Sequence, residues 1–432
     1  MGRDTGGLDD DKFPFVQIAR MVERGHGTNV ALMPYTGDRL IHDADAHIME
    51  PPDWLITHAD PAWRARMPMV FTESLQPGEG GASEMDSYRA RHGDPAYRAD
   101  DAEQIMLRKN FFATGSFLAE HRARALDLIG VASQLVFNTF ASGHLVTAEH
   151  RDAALAAAMS RAHNRAMVEF CSADPRLLAV CYVPLADRAE AAVIAREAVE
   201  LGAAALMIAS ACPATHSPSH IELDAVWAVA ADAGVPIVFH VGGGGQLLSP
   251  RYFDNGLPPV PDFHGGAENF RSVDYMAIPY WPMQTLATIL FDGVFDRFPT
   301  LRIGVIEQGA SWLPGFMRNL DAAFGAFRKN EERLQRLSAT PSEIVRRQVR
   351  VTPYPHEDTG WIVEQAGPEL CLFSSDYPHV EGGRNPLHRF DTSLAGADDS
   401  ARERFYFDNF VDLMGDVLVR HGLPTRRSST AA

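Results

Sequence analysis

Short apolar runs alternate along this chain with longer stretches of helical period. Runs rich in Val, Ile, Leu and Phe, bounded by Gly, Pro or charged residues, predict buried strands at Arg39–His47, Ser133–Asn138, Leu177–Val183, Ala203–Ile208, Pro236–Val241, Leu301–Glu307, Val349–Thr352 and Cys371–Ser375. Between them, apolar residues recur at three- and four-residue spacing. That spacing predicts helices at Ala119–Ile129, Glu149–Cys171, Ala186–Leu201, Leu223–Ala233 and Met283–Phe295, from near Leu313, and at Ala401–Arg420. Alternation through eight strands predicts α/β architecture, a closed (β/α)8 TIM barrel. A doubly wound sheet would need a glycine fingerprint after its first strand, and Asp45-Ala46-His47-Ile48-Met49 is not one.

The alternation leaves two long gaps, 53–125 and 242–282, predicted as insertions at the barrel mouth. In the first, Glu73 to Asp101 is rich in Gly, Asp, Glu and Arg and has little periodicity. A connection that long is more often a lid than a plain link. Residues 1–38 read as an N-terminal extension in which Phe13–Val22 can form a turn or two of amphipathic helix. The barrel occupies 39–422, and 423–432 reads as a polar, disordered tail.

The net charge is −17. Nucleic acids and anionic membranes select basic surfaces, so neither is expected as a partner. No apolar run approaches the roughly 20 residues of a membrane span. The acidic, Gly-rich start lacks the pattern of a secretory signal. Cys171, Cys181, Cys212 and Cys371 form no CxxC pair and read as reduced, mostly buried thiols. These features together predict a cytoplasmic protein acting on a small molecule.

Candidate chemistry gathers where the strands should end. Asp45 and His47 are two apart on the first strand, so both can face one cation at the mouth. His240 ends the fifth strand, Glu307 the sixth, and Asp376 follows the eighth. Taken singly, Asp-x-His is a common pair, a lone His after an apolar run is usually a satisfied core residue, and Asp at such a place is usually a cap. Their joint fall at strand C-termini points instead to a site, because barrel enzymes keep their chemistry there. Imidazole and carboxylate donors suit Zn, Mn or Fe, with one ion expected rather than two. His379 and Glu381 are close enough in sequence to join the shell, whereas His264 and His356 read as surface or supporting residues. The loop after Gly242-Gly243-Gly244-Gly245 carries Arg251, Arg271, Tyr280 and Trp281, which suit an apolar or aromatic substrate with an anionic group. The same composition suits a subunit interface, and a homo-oligomer, a dimer, is expected.

Three motifs make the chain similar to the amidohydrolase superfamily, in its amidohydrolase-related (amidohydrolase 2) branch. They are Asp43-Ala44-Asp45-Ala46-His47-Ile48-Met49-Glu50-Pro51, Phe291-Asp292-Gly293-Val294-Phe295-Asp296-Arg297-Phe298-Pro299 and Phe373-Ser374-Ser375-Asp376-Tyr377-Pro378-His379. The resemblance covers roughly residues 39 to 415. The branch includes the aminocarboxymuconate semialdehyde and resorcylate decarboxylases. It implies a metal held by Asp45, His47, His240 and Asp376, with Asp376 also able to take a proton from metal-bound water. Asp45 stands where many relatives carry His, and Glu307 where many end strand six with His. Strand four ends Leu206-Met207-Ile208-Ala209, with no Lys to be carboxylated as a bridge between two metals.

These residues predict, first, hydrolysis of a small organic substrate by metal-activated water, with Asp376 or Glu307 as base. The alternative is non-oxidative decarboxylation of an aromatic or enoic acid. A third reading has Glu307 bridging two irons for oxygen chemistry. A barrel kept only as a binding scaffold fits least, because the ligand set is nearly complete.

Overall fold

A computed structural model describes residues 33–71, 83–242, 247–258 and 272–426. Seven short strands form one sheet: β1 His42–His47, β2 Ser133–Phe137, β3 Leu177–Tyr182, β4 Ala205–Met207, β5 Ile237–His240, β6 Ile303–Ile306 and β7 Val349–Val351. They pair in sequence order, every pair parallel. All their residues are buried, which accounts for strands that read as continuous apolar runs.

The expected eighth strand at Cys371–Ser375 is not a regular strand. Cys371 and, two residues past its expected end, Tyr377 form isolated parallel bridges, to Val351 and to Ala46. Leu372 N–H donates to Val351 O (2.9 Å), Ala44 N–H to Phe373 O (3.0 Å) and His47 N–H to Tyr377 O (2.7 Å), so this segment joins β7 to β1 and closes the (β/α)8 barrel. The ladder is interrupted because Phe373 N–H bonds instead to Phe405 O (2.9 Å), Ser375 N–H bonds to the Asp43 side chain (2.8 Å), and Asp376 turns left-handed at φ 53°.

The helices follow their apolar stripes, with breaks where the backbone demands them. Helix α1, Ala119–Ile129, matches its expected span and stops at Gly130, which is left-handed at φ 87°. The single helix expected over Glu149–Cys171 is two, α2 Ala141–Arg151 and α3 Ala153–Cys171, because Asp152 leaves helical geometry to cap Leu155 N–H. The helix expected at Met283–Phe295 starts earlier, as α4 Tyr280–Phe291, and Gly293 at φ 74° separates it from the turn Val294–Arg297. The last expected helix, Ala401–Arg420, is likewise interrupted, by a wide π-type turn at Arg404–Asp408 and by Gly415 at φ 48°.

The compact unit holding the barrel begins at Pro34. Of the expected N-terminal extension, Tyr35 and Thr36 donate backbone bonds to Leu128 and Ile129. Of the expected tail, Leu423 N–H bonds to Leu418 O and the Pro424 carbonyl lies 3.1 Å from His42 Nε2. Phe13–Val22, most of the 1–38 extension, His264 and the end of the tail lie outside the described residues. Cys171, Cys181 and Cys371 are buried, Cys212 is exposed, and all four are free. No helix among the described residues is long and apolar enough to cross a membrane.

The first insertion is not structureless. It carries a ten-residue helix, Glu84–Gly93, and shorter turns. These hold a small apolar cluster of their own, Met49, Met85, Phe111 and Phe117, against which Phe71, Tyr88 and Phe140 pack. Met49 follows β1 directly, so this cluster sits at the mouth.

Candidate metal centre

The C-terminal ends of β1, β5 and β6 and the closing segment bring Asp45, His47, His240, Glu307 and Asp376 together. All are buried. His47 Nε2 lies 3.2 Å from Asp45 Oδ1, 3.5 Å from Asp376 Oδ1 and 3.8 Å from Glu307 Oε2. His240 Nε2 lies 3.1 Å from Glu307 Oε2 and 3.4 Å from Asp45 Oδ1. Among the described residues two overlapping groups have metal-ligand spacing: Asp45, His47, His240 and Glu307, and His47, Asp376 and His379.

The backbone decides how the imidazoles face. His47 Nδ1 lies 3.1 Å from Asn138 O, and His240 Nδ1 lies 3.0 Å from Val241 O. A carbonyl only accepts, so each Nδ1 carries a proton and each ring turns its Nε2 inward, that of His240 to within 3.4 Å of Asp45 Oδ1. Burial, with the neighbouring His379 and His240, lowers the His47 pKa to about 4 despite Asp45, so this ring is neutral at pH 7. Its Nε2 is buried without a hydrogen-bond partner, as is Asp376 Oδ1. Two inward imidazole nitrogens therefore meet three buried carboxyl groups. Burial works against the Asp45 charge, but the rings of His240 and His47 beside it outweigh burial and hold its carboxyl below the usual range. A divalent cation between these groups would meet imidazole and carboxylate donors at once. The donor set fits a divalent ion.

Two of the carboxylates sit on strained backbone. Glu307 and Asp376 have φ of 52° and 53°, where side chains other than Gly are rare. The surroundings impose the strain. Glu307 N–H donates to Thr352 Oγ1 (2.7 Å) and its carbonyl accepts from Tyr354 Oη (2.7 Å). Asp376 N–H donates to Asp45 O (2.9 Å), and its carbonyl accepts from His379 N–H (2.7 Å). Gly382 is needed behind it, since a Cβ there would lie 2.2 Å from Ser375 O.

His379 stacks on His47 with ring centres 3.9 Å apart. Its Nδ1 lies 3.0 Å from Asp376 Oδ1, within ion-pair distance though off hydrogen-bond geometry, and its Nε2 lies 2.8 Å from Thr139 Oγ1. Glu381 is half-buried and belongs to neither metal-spaced group. Arg251 is exposed on the turn Pro250–Phe253, Tyr280 is exposed at the start of α4, and Trp281 is half-buried with an unpartnered Nε1. Arg271 lies outside the described residues.

A cavity of about 750 Å3 adjoins the group, within the usual range for small-molecule sites. Met49, Gly242 and Val380, each one or two residues past a clustered histidine, line its inner side. Tyr88, Phe111 and Phe140 from the insertion and α2 form an aromatic wall. Phe111 stacks on Tyr88 and on Phe140, with ring centres 5.1 and 5.9 Å apart. Arg251, Tyr280 and Trp281 are not among its lining residues. Sequence reasoning missed Lys109 and Thr139 here, and also Glu50. Glu50 is structural, its carboxylate accepting from the N–H groups of Thr139, Phe140 and Ala141 at the start of α2.

A parallel barrel with Asp-x-His on its first strand and metal-spaced residues at three further strand ends invites comparison with known families. Residues 43–410 match the amidohydrolase family. The chain belongs to that family. Among solved structures this amidohydrolase-family protein is similar to an amidohydrolase from Mycobacterium avium subsp. paratuberculosis K-10, with 22% identity, 88% of this chain and 100% of that chain covered, and a TM-score of 0.66. It is similar to a 5-carboxyvanillate decarboxylase from Novosphingobium aromaticivorans DSM 12444, complexed with manganese and 4-hydroxy-3-methoxy-5-nitrobenzoic acid, with 18% identity, 89% and 98% coverage and a TM-score of 0.57. It is also similar to a 2,6-dihydroxybenzoate decarboxylase from Rhizobium, with 16% identity, 87% and 98% coverage and a TM-score of 0.54. At these identities the likeness is one of fold. No curated protein matches the chain at a significant level.

Proposed function

We propose that this protein is a divalent-metal-dependent carboxy-lyase acting on an aromatic or enoic acid. The observation that carries the reading is the buried set of inward imidazole nitrogens and carboxylates beside an aromatic-walled cavity. The fold likeness to decarboxylases of aromatic acids, one of them holding manganese, supports it over the hydrolysis that the sequence favoured first. Asp45, His47, His240 and Glu307 would hold the ion, with Asp376 beside it. A bound divalent ion there would polarise the substrate's carboxylate and the oxygen next to it.

The chain's own residues supply the proton chemistry. Asp376, as the acid, gives a proton to the carbon that bears the carboxylate, and a π pair of the ring or alkene forms the new C–H. The bond to the carboxylate then breaks, carbon dioxide leaves, and that bond's electron pair restores the π system. Asp376 is left ionised. His379, between Asp376 and Thr139, can return a proton to it. The aromatic wall keeps water from the carbon.

The test is manganese-loaded protein incubated with a panel of hydroxybenzoates and enoic acids, recording carbon dioxide release and oxygen uptake together. Release without oxygen uptake is expected. Turnover of esters, lactones or amides, with no carbon dioxide from any acid, would return the reading to hydrolysis. A second metal-spaced group sharing His47 gives the third reading its footing: two irons per chain, with oxygen consumed, would replace the carboxy-lyase by an oxygenase.

A further inference from the structure

One loop holds the Glu307 backbone from both sides. Glu307 N–H donates to Thr352 Oγ1, just past β7, and its carbonyl accepts from Tyr354 Oη two residues on, both at 2.7 Å. Glu307 is left-handed at φ 52° and follows Ile306, where β6 stops pairing, so its carbonyl needs a donor other than the ladder. Tyr354 is itself firmly placed. Its N–H donates to Glu357 Oε2 (2.7 Å), and the same carboxylate accepts from Ala310 N–H (3.0 Å) and Ser311 N–H (2.8 Å), three and four residues past Glu307. Glu357 thus clasps the loop after β7 to the loop after β6. The Tyr354 ring lies close against Gly309, where a Cβ would come 3.2 Å from two of its carbons. His356 stacks on the ring, with centres 5.3 Å apart and planes at 7°. Tyr275, from the short helix Ser272–Ala277 of the second insertion, tilts against both rings at 5.6 and 5.4 Å, and its Oη lies 3.1 Å from His356 Nε2.

We infer that Tyr354 is a positioning residue for the metal centre: its hydroxyl holds the strained Glu307 backbone so that the carboxylate stands 3.1 Å from His240 Nε2, and Tyr275 holds the Tyr354 ring in turn. Neither tyrosine belongs to a metal-spaced group, so each acts through Glu307. Left-handed backbone is disfavoured for Glu. Without the hydroxyl the peptide relaxes toward commoner geometry and turns the carboxylate away from the ion. A ring that only filled space would have no such effect, and Phe would serve as well. The second insertion thereby bears on metal affinity from outside the site. This role rests on Glu307 being a ligand of the ion, as proposed above, and is independent of the reaction.

The experiment measures manganese affinity by calorimetry and the visible absorption of cobalt-loaded protein, which reads the ligand set. It compares native protein, Tyr354→Phe, Glu307→Gln, the double variant and Tyr275→Ala, with urea midpoints alongside. Tyr354→Phe keeps the ring on His356 and removes only the hydroxyl. It should weaken manganese binding by about 10-fold, the low end for loss of a supporting bond, and shift the cobalt band. In the Glu307→Gln background the same change should alter manganese affinity by less than about twofold, because the carboxylate it positions is already gone. Tyr275→Ala should weaken binding by less than Tyr354→Phe does. Native affinity and a native cobalt band in Tyr354→Phe, with only the urea midpoint lowered, overturns the inference and leaves the carboxy-lyase reading standing. So does an equal loss in the native and Glu307→Gln backgrounds, which would mean that Tyr354 acts on the ion by another route. Native affinity in Tyr275→Ala also overturns it, and that variant decides the matter should Tyr354→Phe not fold. A native protein that binds no manganese overturns this role and the metal reading together. Metal binding that depends on Tyr354 through Glu307, in a protein that releases no carbon dioxide from any acid, keeps the positioning role and loses only the carboxy-lyase reading.

Discussion

Strand β1 carries two buried polar layers two residues apart, and they are finished in opposite ways. In the lower layer every acceptor meets a donor. Asp43 accepts from Ser375 Oγ (2.6 Å), Ser375 N–H (2.8 Å) and Gln134 Nε2 (2.9 Å). Gln134 Oε1 in turn accepts from the buried Arg122 (2.9 Å). His42, stacked between Phe407 and Phe410, has both ring nitrogens engaged, at Ser133 Oγ and Pro424 O. In the upper layer the backs of the rings are bonded to carbonyls, and in front His240 Nε2 meets Asp45 Oδ1 at 3.4 Å while His47 Nε2 and Asp376 Oδ1 have no hydrogen bond. Low dielectric makes both layers expensive to leave unfinished. In the lower layer the Asp43 carboxylate is closed by the chain's own donors, whereas the upper layer presents donors that a cation would complete.

The sharpest way to break this contrast is to remove an upper nitrogen. His240→Ala should fold and lose most bound metal, a larger loss than the roughly 10–100-fold that follows removal of a supporting hydrogen bond. Metal analysis after purification in manganese reads this directly, and full occupancy would return the upper layer to structure. Glu307→Gln is the next largest. It keeps the volume and the left-handed backbone but removes the charge 3.1 Å from His240. We expect metal affinity to fall by about 10–100-fold and turnover by about 10²–10⁴-fold. Native affinity and native turnover in this variant would take Glu307 out of the site.

The two layers were not equally legible in the sequence. Asp43, Asp45 and His47 share one parity, so spacing put all three on one face. Spacing carries no depth, and it could not say that Asp43 closes on Ser375 while Asp45 meets His240. The strand ends at His240 and Glu307 were legible because parallel strands buried on both faces read as unbroken apolar runs that stop at a polar residue. The eighth segment also read as a strand. Its apolar residues are real, but long-range bonds from Phe405 and Asp43 take the donors a ladder would use. Lys109 was not legible, since it lies in a stretch without periodicity and its burial comes from the contact of Asn110 with Pro378. The rarity of lysine in this chain was the one signal that could have singled it out.

A third prediction concerns the lower layer. Asp43→Ala strands the donors of Ser375 and Gln134, so stability should drop by about 1–3 kcal/mol for a first orphaned group. Metal content of the folded fraction should stay native, which urea titration and metal analysis on the same samples can establish. A loss of metal without a loss of stability would mean that the two layers act as one.

The last effect is a pH slope within the lower layer, and its sign is fixed. Burial, against the favourable Pro424 carbonyl, lowers the His42 pKa to about 4, compared with about 6.5 in an unfolded chain. Between those values the unfolded chain takes up a proton that the folded chain refuses. The stability tied to neutral His42 is therefore fully present above pH 6.5 and is lost as pH falls toward 4, by up to about 3 kcal/mol. Asp43 tilts the other way. Burial pushes its pKa up to about 7 against the bonds from Ser375 and Gln134, so its contribution is present below pH 4 and is lost as pH rises through 7. His42→Phe keeps a ring between Phe407 and Phe410 and removes the titration. The stability difference between native protein and His42→Phe should then shrink from pH 7 to pH 5, while that between native protein and Asp43→Ala should grow over the same interval. Urea midpoints at three pH values measure both. Parallel curves for native protein and His42→Phe would mean that His42 is charged inside the fold, and the lower layer would no longer be the closed one.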